Sequence, residues 1–98
     1  MENSLEIKYI VYVTMNIVNG KIYIGVHKTE TPYKFDGYIG CGAWINKPSS
    51  YNKGKFPLHA AILKHGTHNF KRNTLKVFNV EQDALDLERW LVTEEFIK

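Results

Sequence analysis

The sequence lacks the features that would place it outside the ordinary globular class. It has a single cysteine, Cys41, so no internal disulfide can form, and a reducing compartment fits. The longest uninterrupted apolar run, Tyr9 to Val13, is far too short to span a membrane, and the first residues lack the pattern of a signal peptide. No glycine-rich run leads from a strand into a helix, which excludes phosphate-loop and dinucleotide-binding motifs. We therefore expect a soluble, intracellular protein with one domain over residues 1–98.

Acidic residues are scarce over most of the chain. Residues 1–80 hold eleven Lys or Arg against four Asp or Glu, whereas residues 81–98 hold two against six, for a net charge of +3. A basic body suits an anionic polymer, because Lys and Arg that neutralise phosphates release counterions. Many basic proteins bind no nucleic acid, so charge alone is weak support for such a partner.

Tyr9 to Lys28 has the pattern of a β-hairpin. Two runs rich in Val, Ile and Tyr flank Asn19-Gly20, a pair that supplies the positive φ angles of a tight turn. Side-chain alternation places Tyr12 on one face of the first strand, and Tyr23 and Gly25 together on one face of the second. We expect the apolar residues to form a buried face and the two phenols to project from the other, where a phosphate could approach.

The rest of the chain predicts a short helix, a strand and a longer helix. Pro57 to His65 has helical spacing, and Gly66 suits its C-cap. Phe70 to Phe78 reads as a third strand, and Asn79 with Gln82 resembles a capping box that opens a helix from Val80 to Phe96. The predicted fold class is α+β, in the order β-β-α-β-α, with a three-stranded antiparallel sheet flanked by helices.

A long loop follows the second strand, and we read residues 29–55 as mostly loop with a short strand at Tyr38-Ile39. Loops of this length are usually functional. Aromatic and basic side chains alternate in it, as on nucleic-acid contact surfaces: Tyr33, Tyr38, Trp44, Lys47, Tyr51, Lys53 and Lys55. The alternative, which we favour for Trp44, is that the ring anchors the loop to the core.

Ile10-Val11-Tyr12, followed by Tyr23-Ile24-Gly25, resembles the paired triplet that names the GIY-YIG nuclease family. The second triplet matches in full, and the first keeps its tyrosine but lacks the glycine. Lys64-His65-Gly66, followed by Phe70, is similar to the segment between the helix and the third strand of the family. The resemblance covers nearly the whole chain and implies a DNA endonuclease of the phage homing or freestanding type. The chain departs from the family in lacking an arginine on a helix after the second triplet, where Arg72 is the only arginine before Glu88.

The resemblance also implies a site. Glu88 matches the glutamate of the last long helix that holds one divalent cation, Mg²⁺ or Mn²⁺. Tyr12 is then the candidate general base, and Tyr23 orients water or phosphate. Lys28 lowers the pKa of the Tyr12 phenol or neutralises the phosphate. His27 is a second candidate to touch the phosphate or relay a proton. The expected nucleic-acid contacts are Gly25, Tyr38, Lys47, Lys53, Lys55, Lys64 and Arg72.

Other interpretations stay open at this point. Glu88 could instead pair with Lys64, Arg72 or Arg89, and His27 could be structural. A zinc site could be built from Cys41, His59, His65 and His68, although their spacing matches no zinc motif. The chain could also be a nucleic-acid-binding module without catalysis, or a protein-interaction domain that uses the long loop and the acidic helix.

Overall fold

A three-stranded antiparallel sheet lies at the centre of the chain, with strands Ile22–Thr29, Lys8–Asn16 and Phe70–Phe78 side by side in that order, in an α+β fold as predicted. A computed structural model describes residues 7–51, 54 and 56–92. Short 3-10 turns lie at Pro48–Ser50 and Thr67–Asn69. The strands and helices are β1 Lys8–Asn16, β2 Ile22–Thr29, β3 Tyr38–Gly40, β4 Ala43–Trp44, α1 Pro57–His65, β5 Phe70–Phe78 and α2 Glu81–Trp90. No helix among these residues is long and apolar enough to cross a membrane.

The β1–β2 hairpin forms where the sequence predicts it. Gly20 adopts a φ of +77°, which an L side chain tolerates poorly, and its N–H donates to the carbonyl of Asn16 at 2.8 Å. The register sets Tyr12 opposite Gly25 and Thr14 opposite Tyr23. Tyr12, Tyr23 and Gly25 therefore share one face of the sheet, as the alternation of side chains requires.

That face is covered, and our prediction of an open face was wrong. Residues 38–44, predicted mainly as loop, form a small β3–β4 hairpin that packs on it: the hydroxyl of Thr14 donates to the carbonyl of Ile39 at 2.7 Å. Helix α1 completes the cover. The core cluster on this side consists of Ile39, Ala43, Tyr51, Leu58, Ile62 and Phe70, with Tyr23 and Ala61 packed against it.

Helix α2 crosses the opposite face of the sheet. It contacts β1, β2 and β5, whereas the Tyr12 face is occupied by the β3–β4 hairpin and α1. Val11, which alternates with Tyr12 along β1, and Ala84 of α2 are both fully buried. A sheet covered on both faces accounts for the burial of Val11 and Tyr12 together.

Helix α1 has the predicted bounds. Its C-cap Gly66 has a φ of +87° and donates its N–H to the carbonyl of Ile62 at 2.8 Å. The N-terminus of α2 differs from the prediction, because its N-cap is Val80, without a side-chain hydrogen bond, and the Asn79 side chain instead accepts a hydrogen bond from Lys8. The predicted end of this helix at Phe96 lies outside the described residues.

Candidate functional site

Tyr12 lies at the centre of the covered face. A Cβ added at Gly25 would overlap its hydroxyl oxygen, and one added at Gly40 would come within 2.9 Å of it. The phenol thus fills the space that two missing side chains leave, and only 4% of the residue is exposed. Gly25, predicted as a place where the DNA backbone comes close, instead makes room for Tyr12.

Burial affects the acidity of both phenols. It raises the pKa of Tyr12 well above the ordinary value of 10.0, the neighbouring Tyr38 and Cys41 raise it further, and the Arg72 guanidinium opposes the shift only in part. Burial also raises the pKa of Tyr23, which is half-buried against the core. Tyr12 is therefore a neutral hydroxyl near neutral pH. Lys28 was predicted to lower its pKa, but the exposed Lys28 pairs with Tyr9 in the register and so points to the other face of the sheet.

Asp36 links three elements beside Tyr12. Its carboxylate lies 2.7 Å from Nε2 of His27, and it accepts hydrogen bonds from Nη1 of Arg72 at 3.2 Å and from the N–H of Tyr38 at 3.1 Å. Partial burial acts to raise the pKa of Asp36, but the hydrogen bonds from His27 and Tyr38 and the electrostatic effects of the neighbouring His27 and Arg72 outweigh it. The pKa of Asp36 therefore lies below its ordinary value, and Asp36 is ionised.

Aromatic rings surround this charge network. His27 stacks on Tyr38 with ring centres 4.0 Å apart and planes 8° apart. Tyr12 and Tyr38 form an edge-to-face pair with ring centres 5.9 Å apart. The ring of Trp44 makes similar pairs with Tyr38 and with His27, whose ring centres lie 5.1 and 5.6 Å away. The favoured role of Trp44 as an anchor between loop and sheet agrees with these contacts.

An open hollow of about 420 Å³ exposes the rim of the network to solvent. His27 and Asp36 are among its lining residues, and Lys28 and Glu30 add one charge of each sign. The hollow is lined by Ile7, His27, Lys28, Thr29, Glu30, Thr31, Asp36 and Trp44. A group bound there could exchange a proton with the His27–Asp36 pair, whereas Tyr12 lies deeper, behind Tyr38.

Arg72 is largely removed from solvent, although it was predicted to contact nucleic acid. Its side chain is 2% exposed, it pairs with Asp36, and it donates to the carbonyl of Tyr38 at 3.0 Å. In this arrangement Arg72 stabilises the network and does not meet a phosphate. Among the other predicted contacts, Lys47 and Lys64 are exposed, and Nζ of Lys47 lies 5.5 Å from the centre of the Trp44 ring. Lys53 and Lys55 lie outside the described residues.

The structure does not bring Glu88 into this cluster. Glu88 is half-buried on α2, and the sheet separates that helix from the hydroxyl of Tyr12. Within the described part of the chain, no group of three or more His, Cys, Asp or Glu side chains is arranged to hold a metal ion. These residues therefore do not fit a cation held between Glu88 and the two phenols, and we derive no chemical step through one.

The four residues of the possible zinc site are likewise not assembled. His59 is buried on α1, with its Nε2 2.7 Å from the carbonyl oxygen of Cys41. Cys41 sits in the turn between β3 and β4 with a φ of +51°, and desolvation raises the pKa of its thiol. A raised pKa disfavours the thiolate that a nucleophile or a zinc ligand requires.

Asp36 is the main residue that sequence reasoning missed. The sequence offered one signal, because Asp36 is one of only four acidic residues before Glu81 and stands in a loop rich in aromatic residues. Its partners come from β2, β3 and β5, so only the tertiary structure could identify them.

Comparison with known proteins gives relatives from one source, Enterobacteria phage T4. The chain is 39% identical to segD over 92 residues, which cover 94% of this chain and 34% of segD. It is 38% identical to segE over 90 residues, which cover 92% of this chain and 37% of segE. Both relatives carry provisional endonuclease names. It is 34% identical over 98 residues, 99% of this chain and 38% of the relative, to a protein named endonuclease segA. The chain thus spans about a third of the length of these curated relatives. No family model and no solved structure matches.

Proposed function

We propose that the chain is a GIY-YIG-type domain of a DNA endonuclease that hydrolyses phosphodiester bonds with the help of Mg²⁺ or Mn²⁺. The observation that carries the proposal is the similarity, along nearly the whole chain, to phage proteins named endonucleases. The two triplets that resemble the family signature also lie in register on neighbouring strands, with Tyr12 opposite Gly25, which supports the same conclusion.

Hydrolysis of a phosphodiester needs an activated water molecule and groups that stabilise negative charge on the phosphate. His27 suits the first task, since imidazole is the side chain that exchanges protons near neutral pH and Asp36 holds this one in place beside the open hollow. Lys28 is our candidate for the second: it points to the other face of the sheet, but β2 is an edge strand, and the hollow at this edge is lined by Lys28 as well as by His27. Tyr12 acts in this proposal as a neutral hydroxyl that fixes the site and not as a phenolate base.

The test is nicking of a supercoiled plasmid by the chain with Mg²⁺, with Mn²⁺ and with EDTA. We expect nicking with either cation and none with EDTA. Glu88→Gln tests the role that the family resemblance gives Glu88, which the structure leaves outside the His27–Asp36 cluster: a rate lower by roughly two orders of magnitude, as loss of a catalytic charge gives, would place Glu88 in the chemistry. Asp83→Asn, which removes an exposed carboxylate from the same helix, is the matched control and should nick at the rate of the unchanged chain.

The outcomes separate the parts of the proposal. Undiminished nicking by Glu88→Gln would remove Glu88 from the chemistry and leave the endonuclease assignment standing. Absence of nicking by the folded, unchanged chain with every cation would contradict the assignment itself.

A second candidate function is a nucleic-acid-binding module without catalysis. It is favoured by the burial and raised pKa of Tyr12 and by the pairing of Arg72 with Asp36, which leaves no exposed arginine among the described residues between Gly25 and Glu88. DNA binding that weakens with salt, without cleavage under any metal condition, would support this candidate. Failure to bind DNA at any salt concentration would point to a protein partner.

A further inference from the structure

The outer edge of the sheet carries a surface that the proposed catalytic role does not use. Among the described residues, no strand lies on the far side of β5, and residues 32–35 run beside it. Two hollows of about 420 and 390 Å³ open here, and Phe35 and Arg72 line both of them. We call this surface the Phe35 platform and define it by Tyr33, Lys34, Phe35, Lys71 and Lys76.

Two aromatic rings of the platform lie in solvent. Tyr33 is 84% exposed and Phe35 is 52% exposed. Exposed apolar surface of this kind, next to concave space, marks a binding surface more often than single scattered residues do. The rings stand two residues apart on one segment.

Phe35 is supported from one side. The guanidinium carbon of Arg72 lies 4.9 Å from the centre of its ring. The Arg72 guanidinium is in turn fixed by the carboxylate of Asp36 and the carbonyl of Tyr38. A ring held in this way on one side loses little conformational freedom when a ligand covers the other side, so binding there costs less.

The charges around the two hollows have one sign. Lys34 and Lys76 line the first and Lys71 lines the second, whereas the charge of Arg72, which lines both, is paired with Asp36. Among the described residues that line either hollow, none is acidic. The platform therefore complements a polyanion that also offers flat apolar faces, and a nucleic-acid strand has both properties.

We propose that the Phe35 platform binds an unpaired segment of DNA, with bases stacked on Phe35 and Tyr33 and phosphates held by Lys34, Lys71 and Lys76. The faces of paired bases in a duplex are covered by their neighbours, so exposed rings can stack only where the strand is unpaired. The inference rests on the proposed function in one respect, that the substrate is DNA. It adds that the DNA segment bound by the platform is unpaired. Arg72 acts here as a positioning residue beneath Phe35.

The test measures fluorescence anisotropy with a labelled oligothymidylate of about twelve nucleotides, within the length that such surfaces cover. A duplex of the same length is the second probe, and EDTA prevents cleavage of both. Phe35→Leu keeps an apolar contact over Arg72 but removes the ring, so we expect binding of the single strand to weaken about tenfold, the loss of one stacked base. Duplex binding should change by less than about twofold.

Phe56→Leu is the matched control, because Phe56 is also an exposed phenylalanine, 42% exposed, but packs against His59 of α1. It should bind both probes as the unchanged chain does. Tyr33→Ala, in the more exposed position, gives a second variant in which folding is not at risk. Circular dichroism confirms the fold of each variant.

The results distinguish this inference from the endonuclease proposal. Wild-type affinity of both Phe35→Leu and Tyr33→Ala for the single strand would overturn the inference, even if plasmid nicking persists. An equal loss on the single strand and the duplex would also overturn it, because the rings would not read unpaired bases. A loss of affinity for the single strand alone, in variants of a chain that never nicks plasmid, would support the role of the platform and contradict the endonuclease proposal.

Discussion

At the scale of single residues, Asp36 decides the arrangement of the site. It neutralises Arg72, whose side chain is 2% exposed, and orients His27, which stacks on Tyr38. A charge as buried as that of Arg72 is costly unless it is paired, so the position of the guanidinium depends on this one carboxylate. Tyr12 depends on its neighbours in a different way, because its hydroxyl fits only where Gly25 and Gly40 have no side chain.

Asp36→Asn should lower the free energy of unfolding by about 3 kcal/mol at neutral pH, because it leaves the charge of Arg72 unpaired. The folded-state pKa of Asp36 lies below its ordinary value of 3.8, so the carboxylate stabilises the fold fully above that pH and loses the effect as the pH falls through the folded-state pKa. The difference between the variant and the unchanged chain should therefore shrink below about pH 4. Urea unfolding at a series of pH values measures it.

The exposed Asp83 supplies the control for this experiment. Asp83→Asn should unfold within about 0.5 kcal/mol of the unchanged chain at every pH, as substitutions on the surface usually do. A pH-independent loss in Asp36→Asn would show that the carboxylate acts through its shape and not through its charge.

At the scale of the elements, the helices and long strands follow local sequence signals, whereas the end of a helix depends on which side chain caps it. Strand β5 and helix α1 have the predicted bounds, because alternation in the first and Pro57 with Gly66 in the second are strong local signals. The N-terminus of α2 was predicted wrongly, since Asn79 lies one residue before the N-cap and its side chain accepts from Lys8 instead. Within the described part of the chain, no side chain caps the backbone N–H groups at the start of α2.

Val80→Ser should stabilise the protein by about 1 kcal/mol. Val80 is 53% exposed and has the extended conformation, φ −120° and ψ 128°, of an N-cap, so a hydroxyl at this position can accept from the first turn of α2. Val80→Ala removes the same apolar group without adding a cap and should not stabilise. Urea unfolding compares the two variants, and equal stabilities would contradict the capping argument.

At the scale of the whole molecule, the sheet divides the chain chemically. One face carries the phenols, His27 and Asp36 under the β3–β4 hairpin, and the other carries the acidic helix α2. We expect the lysines of residues 1–80 to meet the phosphates of DNA. Lysines lie on both sides of this division, because Lys28, Lys71 and Lys76 stand in register with residues of β1 on the face that α2 covers.

The logarithm of the DNA-binding constant should fall linearly with the logarithm of the salt concentration. Lys64 is exposed at the end of α1, and if it meets one phosphate, Lys64→Ala should reduce the size of that slope by about 0.9. Lys64→Arg keeps the charge and should keep the slope. Anisotropy with a short duplex at four or five salt concentrations measures both. An unchanged slope in Lys64→Ala would exclude Lys64 from the contact surface.

The amino-acid sequence by itself determined the hairpin, its turn at Asn19-Gly20, the later helix and strand, and the shared face of Tyr12, Tyr23 and Gly25. All of these follow from periodicity and turn chemistry between residues near in the sequence. The tertiary structure alone decided that this face is covered, that the pKa of Tyr12 is raised, and that Asp36 joins His27 to Arg72. Burial and charge pairing depend on which distant segments pack together, and no local pattern encodes that choice.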